Sequence, residues 1–431
     1  MIIRSMTLED LPQLPLLHEE GNSSAEQKER ARVALCQLYR KLYFESPWHR
    51  PDVVNSLVAE NEQGRIVGMI GAVTRPFRVQ GRSLTAAVCS ELYVAPEERG
   101  KMVGIGLMRQ FLRGAQDLSV ADIANDASRA IWERLGGFTA PLYDVNWFLP
   151  FRLVSAAASQ WARTPFRRQV CRALQPLLEA GDWLTRRLAG RAARSKSGNV
   201  MRLGVGGRKL QLERLTPELF ADEFSRLTER HVLRPEYGRN EARWLWARLN
   251  FLCRGAGNSR QMVVRDSRGR VLGWFIYQVE PGQVARVAQV VSAEGEEHWV
   301  LEQLFTDAEQ QGAVGVAGRM QPELFRAVLD LGCWLRARKR FTLVHSRDES
   351  LVAAFQSGEA FLSLLEGEAC LNIWNQPEQA LDELTQWDKT EQPTTESPGF
   401  IGCQQPTSEL TAASNQPEVL VSANGGTCTS K

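Results

Sequence analysis

Two stretches of the chain carry the same pattern of apolar and polar positions. Leu57–Ala72 reads as an apolar run, a polar turn with a glycine, and a second apolar run. Met262–Tyr277 repeats that layout almost residue for residue, each with Gly-Arg at the turn exit, two apolar residues and a further glycine. Such runs bounded by turn residues predict β-hairpins. Each hairpin is followed by another turn (Gln80-Gly-Arg-Ser83 and Pro281-Gly-Gln283) and a further strand. Each is preceded by a helical segment opening at Thr7-Leu-Glu-Asp10 or Thr216-Pro-Glu-Leu219. Thr7 and Thr216 are candidate N-caps with acid in the first turn. The pattern predicts two copies of one α/β unit.

After the first hairpin the pattern changes period. Cys89 to Val94 are mostly apolar or aromatic, which suits a strand, and Pro96 ends it. Arg99 to Gly104 form a short basic loop, and Leu107, Met108, Phe111 and Leu112 then recur at helical spacing. A loop that opens a helix gathers unpaired N–H groups, which makes an anion site suited to phosphate or pyrophosphate. Neither Gly-Lys-Ser/Thr nor Gly-x-Gly-x-x-Gly is present here, so the loop is neither a Walker A nor a dinucleotide motif. Farther on, Ala121-Asp-Ile-Ala-Asn125 reads as a strand end. Asp126 to Leu135 reads as a helix that closes on Gly136-Gly137-Phe138.

In this region the chain resembles the GNAT family of acyl-CoA-dependent acyltransferases. Arg99, Gly104 and Leu107 fall on that family's pyrophosphate-loop pattern, and Asn125, Ala127, Ala130, Ile131 and Gly137-Phe138 fit the layout that follows it. Two positions depart from the pattern: Met102 stands in the place of the loop's first glycine, and Trp132 where many members carry a proton-donating Tyr. The resemblance implies an α/β fold of two tandem GNAT-like domains, each a mixed, mostly antiparallel twisted sheet flanked by helices, plus a helical connector. It implies acetyl-CoA or another acyl-CoA as co-substrate. Arg99, Gly100, Lys101, Met102, Val103 and Gly104 would hold the pyrophosphate, Leu92 and Val94 would offer backbone to the pantetheine arm, and Asn125 would close the site. Glu91 is the candidate base, and Tyr93 and Tyr143 are candidate acids. The resemblance implies a small-molecule amine as acceptor, and the basic, aromatic segment that follows residue 145 points to an amino sugar or a cell-envelope precursor. A Fem-like aminoacyl transferase and a non-catalytic acyl-CoA-binding or scaffold protein stay open as alternatives. The specific motifs lie within residues 1–150; from Met201 to Trp374 the resemblance rests on strand layout.

Length and composition bound this picture. With 431 residues, two domains are expected. The boundaries read as 1–150 for an acyl-CoA-binding domain, 151–200 for a basic, aromatic connector, 201–387 for a degenerate second unit, and 388–431 for a tail too poor in large apolar residues to form a core. A formal net charge of +2 argues against a dedicated nucleic-acid binder. The 8 cysteines are scattered singly and there are only 5 histidines, so no metal site is expected. An acid within the first ten residues argues against a signal peptide, and no apolar run is long enough to span a bilayer, so the expected setting is cytoplasmic.

Two segments invite further readings. Residues 146–199 interleave Arg152, Arg163, Arg167, Arg168, Arg172, Arg186, Arg187, Arg191, Arg194 and Lys196 with Trp and Leu, against only Glu179 and Asp182. That composition suits either an inter-domain connector or helices lying at the inner face of a membrane. In the second copy Glu294, Glu296 and Glu297 stand where the first has its basic loop, and would repel a pyrophosphate. One CoA site is therefore expected, in the first copy. His345 and Asp348 are a weaker candidate for a base and its orienting acid.

Overall fold

The computed structural model describes residues 1–14, 25–161, 165–195, 208–253 and 258–368. The tail read at 388–431 and the end of the connector lie outside them. Both hairpins form where the pattern places them. β1 (Ile2–Ser5), β2 (Leu57–Glu60), β3 (Ile66–Val79), β4 (Arg82–Val94), β5 (Leu118–Ala124) and β6 (Phe138–Thr139) belong to the first sheet. β7 (Val145–Pro150), β8 (Leu210–Arg214), β10 (Asn258–Asp266), β11 (Val271–Val279), β12 (Val284–Ser292), β13 (Gly315–Arg319) and β14 (Trp334–Ala337) form the second, while β9 (Leu233–Pro235) and β15 (Phe341–Ser346) join the first.

The two sheets share one strand order. The first runs β1-β2-β3-β4-β5-β15-β6, with β9 on β3, and the second, read from its other edge, runs β8-β10-β11-β12-β13-β7-β14. In both, the third hairpin strand pairs in parallel with the strand that follows its helix: β4 with β5 and β12 with β13. The sixth place in each order is filled by a strand from the other half of the chain. β7 lies between β13 and β14, and β15 between β5 and β6. Residues 145–150, counted with the first unit on sequence grounds, therefore lie in the second sheet, and residues 341–346 in the first. Both sheets fall within one compact unit.

The helices pack as the apolar spacing requires. α1 (Ala25–Tyr43) precedes β2, and α2 (Val103–Leu112) follows β4 and buries Val103, Leu107, Met108, Phe111 and Leu112. The glycine that recurs in both hairpins lets a helix approach the sheet. A Cβ on Gly68 would stand 3.1 Å from both Val103 and Leu107 of α2, and one on Gly273 would stand 2.8 Å from Val300. Val300 belongs to a helix that comes after α3 (Asp126–Arg134), α4 (Leu153–Trp161), α5 (Pro165–Ala173), α6 (Gln175–Ser195), α7 (Pro217–Leu227) and α8 (Arg239–Cys253). α9 (Glu297–Gln310), α10 (Phe325–Asp330) and α11 (Glu349–Ser357) complete the set. Thr216 caps α7 by accepting from the Leu219 amide, whereas Thr7 opens only a 3-10 turn, bonded to Asp10.

A buried ion pair joins the sheets. Asp122 of β5 accepts from Arg319 of β13 at 2.8 Å, and both side chains are almost wholly buried. Arg319 also donates to Thr342 on β15 and to the Tyr143 carbonyl. Arg319 thus ties β13 to β5, to the exchanged β15 and to the turn before β7.

Candidate active site

β4 and β5 pair only from Ala86–Val88 against Leu118–Val120 and then part. On its other side β4 is bulged: Ser90 faces Gly71 and Tyr93 faces Met69, so Glu91 and Leu92 share a single place opposite β3. Glu91 has a φ of 51°, a left-handed conformation that a non-glycine residue takes up at some cost. The backbone of Glu91 and Leu92 therefore sits outside the register of both neighbours. A cleft of about 350 Å³ opens there. Glu91, Leu92, Tyr93, Asn125, Trp132 and Glu368 are among its lining residues.

α2 begins beside this cleft. Met102 occupies its N-cap with a φ of 65°, and its side chain is exposed. This explains why a glycine suits the position: the turn into the helix needs a left-handed residue. Gly106 donates to the Met102 carbonyl, while among the described residues the amides of Val103, Gly104 and Ile105 find no acceptor. Three such donors at one helix end, with a basic loop before them, suit a pyrophosphate. Arg99 is tied to β4 through the Val94 carbonyl at 3.2 Å, with its guanidinium 5.8 Å from the Tyr93 ring. Gly100 has a φ of 88° and shapes the turn, and Lys101 reaches Glu98 at 3.1 Å. Asn125 caps α3 by accepting from the Ser128 amide at 2.8 Å.

The candidate proton carriers separate. Glu91 and Tyr93 line the cleft. Glu91 also faces α1, where its charge and a hydrogen bond, after burial, push the Tyr39 hydroxyl well above its ordinary value. Tyr43, pushed up mainly by burial, shares a hydrogen bond with Ser90 at 3.0 Å. Tyr143 is not brought to the cleft: its hydroxyl donates to the Ala360 carbonyl at 2.6 Å within a separate core cluster, and burial raises its pKa. Trp132 is fully buried against Phe111, and its indole ring lies where any Cβ on Gly137 would be. His345 and Asp348 do not form a dyad, because Asp348 caps α11 through Ser350 and pairs with Arg82.

One cleft residue gives no sequence signal. Glu368 lies far along the chain from the loop, yet its carboxylate accepts from the Glu91 amide at 3.4 Å while its own amide donates to Asp122 at 2.6 Å. Burial, then the charge of Asp122, pushes its pKa up to about 8. No motif or periodicity marks it; only the path of residues 360–368 between the sheets does.

In the second sheet the corresponding region is filled. Trp274 donates to Gln289, Gln289 donates to Glu366 at 2.9 Å, and the Leu364 amide donates to the Ala288 carbonyl beside the bulge of β12. Glu296 is paired with Arg208 and Arg270, and Glu297 with Arg230. Glu296 and Glu297 at the start of α9 are thus held by arginines of the same body, so that helix start carries carboxylates where α2 has a basic loop.

Residues 3–125 match the family model described as an acetyltransferase (GNAT) domain. The matched stretch includes the cleft's β4 wall and the α2 loop. No curated protein matches the chain in sequence. Among solved structures, a GCN5-related N-acetyltransferase from Anabaena variabilis aligns at a TM-score of 0.48 and 13% identity, over 81% of this chain and 73% of that one. A conserved protein of unknown function from Enterococcus faecalis, a probable N-acyltransferase, aligns at 0.48 and 11%, over 80% and 72%.

Proposed function

We propose that the protein transfers an acyl group from an acyl-CoA, acetyl-CoA first among them, to a small-molecule amine. The observation that carries this reading is the parting of β4 and β5 at the Glu91 bulge, directly before a helix start with three amides in want of an acceptor. A thioester needs its acyl chain held between strands and its diphosphate held at a donor-rich turn. The residues present fit that demand. Arg99, Gly100, Lys101, Met102, Val103 and Gly104 supply the turn, with Leu92, Val94 and Asn125 along the arm.

In the transfer the amine nitrogen forms a bond to the thioester carbonyl carbon, and the carbon–sulfur bond breaks. The amine gives up a proton and the thiolate takes one. In this reading Glu91, which lines the cleft, accepts the first. Glu368, whose pKa stands at about 8, keeps its proton at neutral pH and serves with Tyr93 as a donor for the second. Trp132 cannot fill that role, since an indole N–H does not ionise in the useful range.

Calorimetric titration with acetyl-CoA and CoA, beside a Gly104→Glu variant, tests the reading. A Cβ at Gly104 would meet only Val94, at an ordinary 3.5 Å, so the backbone accepts the side chain and the new carboxylate acts by repulsion. Micromolar binding lost in the variant supports the site, and an amine screen with amino sugars follows. No binding by the wild type overturns it and moves the weight to aminoacyl-tRNA or to a scaffold role. Binding without turnover of any amine leaves an acyl-CoA-binding protein.

A further inference from the structure

We infer that the outer face of α4, α5 and α6 is a docking surface for an anionic lipid bilayer. The three helices pack on one another, with α4 also against β12 of the second sheet. Asp182 on α6 pins the start of α4 by accepting from the Val154 amide at 2.7 Å, and Gly181 lets the two helices pass closely. Asp182 is buried in doing so, which leaves Glu179 as the exposed acid of this layer.

The outward side is unusually apolar for a surface. Leu153, Trp161, Leu174, Leu177, Trp183 and Leu184 are all exposed, Leu177 at 68% and Trp183 at 59%. On α6, Leu177 and Leu184 stand two turns apart, and Trp183 and Arg187 one turn apart, so the four span an arc of about 120° on its exposed side. Isolated exposed apolar residues need no account, but a cluster of this size marks a binding face.

Charge selects the occupant. From Arg152 to Lys196 the sequence carries cations with only Glu179 and Asp182 against them, and Asp182 is spent on the cap. Arg167 lies 4.9 Å from the Trp161 ring and Arg187 5.0 Å from the Trp183 ring. Each exposed indole is thus bordered by a guanidinium, which is the arrangement suited to a headgroup layer: the ring enters the acyl boundary while the cation meets phosphate. No helix among the described residues is long and apolar enough to cross a membrane, so the contact is with the surface.

This inference stands apart from the acyl-transfer reading, and its test has no activity readout. The full chain is floated with vesicles of phosphatidylcholine alone or with one quarter phosphatidylglycerol, at low and high salt. Binding is expected only with the anionic lipid, and it should weaken as salt screens the charges. Arg167→Gln with Arg187→Gln should weaken partitioning by about 25-fold, at about fivefold per cation. Leu177→Ser with Trp183→Ser, at exposed positions that leave the fold intact, should abolish it. Absence of binding, equal binding to neutral vesicles, or wild-type binding by both variants would overturn the proposal. So would sedimentation showing that the wild type self-associates without lipid while Leu177→Ser does not, since the face would then join copies of the chain.

Discussion

The carboxylate of Glu368 meets the amide of Glu91 at 3.4 Å, across a bulge that no strand pairs. The segment carrying Glu368 comes from the far end of the described chain, and Asp122 fixes it by accepting its amide. Two carboxylates of the cleft wall are thereby held near a third.

That contact predicts a pH dependence. Burial and Asp122 raise Glu368 from an ordinary 4.5 to about 8, so between those values the folded chain holds a proton that the unfolded chain has released. Its contribution is fully present below about 4.5 and is lost as pH rises through about 8, so stability falls with rising pH in that window. Glu368→Gln should flatten the fall. Urea midpoints for both proteins across the window check this, and parallel curves would show that the carboxyl is not buried beside Asp122.

At Met102 the backbone demands a φ of 65° from a residue with a side chain. Left-handed geometry costs a non-glycine residue about 1–2 kcal/mol, and glycine gives back part of that gain through its freer unfolded chain. Met102→Gly should therefore raise stability by roughly 0–1 kcal/mol, and by removing an exposed side chain beside the helix start it should not weaken CoA binding. A thermal melt with a CoA titration decides it; a drop of several degrees would mean that the Met102 side chain is holding the loop.

The sequence made the hairpins, the α2 loop and the α3 helix legible because each is a local affair. Apolar alternation around a glycine turn, Gly104 and Leu107 in register, and Asn125 before an acid all act within a few residues. The repeated glycines at Gly68 and Gly273 were visible as a pattern, and the helices packed on them supply its cause. What stayed hidden depends on distant partners. A strand's period fixes which face is buried but not which neighbour it joins, so Val145–Pro150 and Phe341–Ser346 gave no sign of their exchange. Tyr143 carried the right chemistry but lies under Ala360, and Glu368 carried no pattern at all.

The Asp122–Arg319 pair is expected to dominate any single-residue scan of the inter-sheet junction. Both partners are desolvated; Arg319 also donates to Thr342 on the exchanged β15, and Asp122 accepts from the Glu368 amide. Removing one charge leaves the other buried and unpaired, at a cost of about 3–5 kcal/mol, whereas replacing both with apolar groups is often close to neutral. Asp122→Asn should thus lower stability far more than Asp122→Leu combined with Arg319→Met. Denaturation midpoints for both proteins separate these outcomes, and equal losses would show that packing rather than charge sets the cost.

The strand exchange makes its own demand on folding. A chain cut after Pro150 lacks β15, so β5 loses the neighbour that carries the sheet on to β6. The same fragment keeps β7, whose Trp147 is fully buried against Phe305 in the second core and would be left in water. Residues 1–150 alone should therefore fail to give a dispersed amide spectrum. In the full chain neither sheet can be completed without a strand from the other half, so calorimetry should show one cooperative transition for both. Trp147→Ala, which opens a cavity worth about 3–5 kcal/mol in the second core, should lower the melting of the first sheet by the same amount. Hydrogen exchange at β3 and β11 reads the two sheets separately. If Trp147→Ala loosens only β11, the exchanged strands do not couple the halves, and the sheets unfold as independent units.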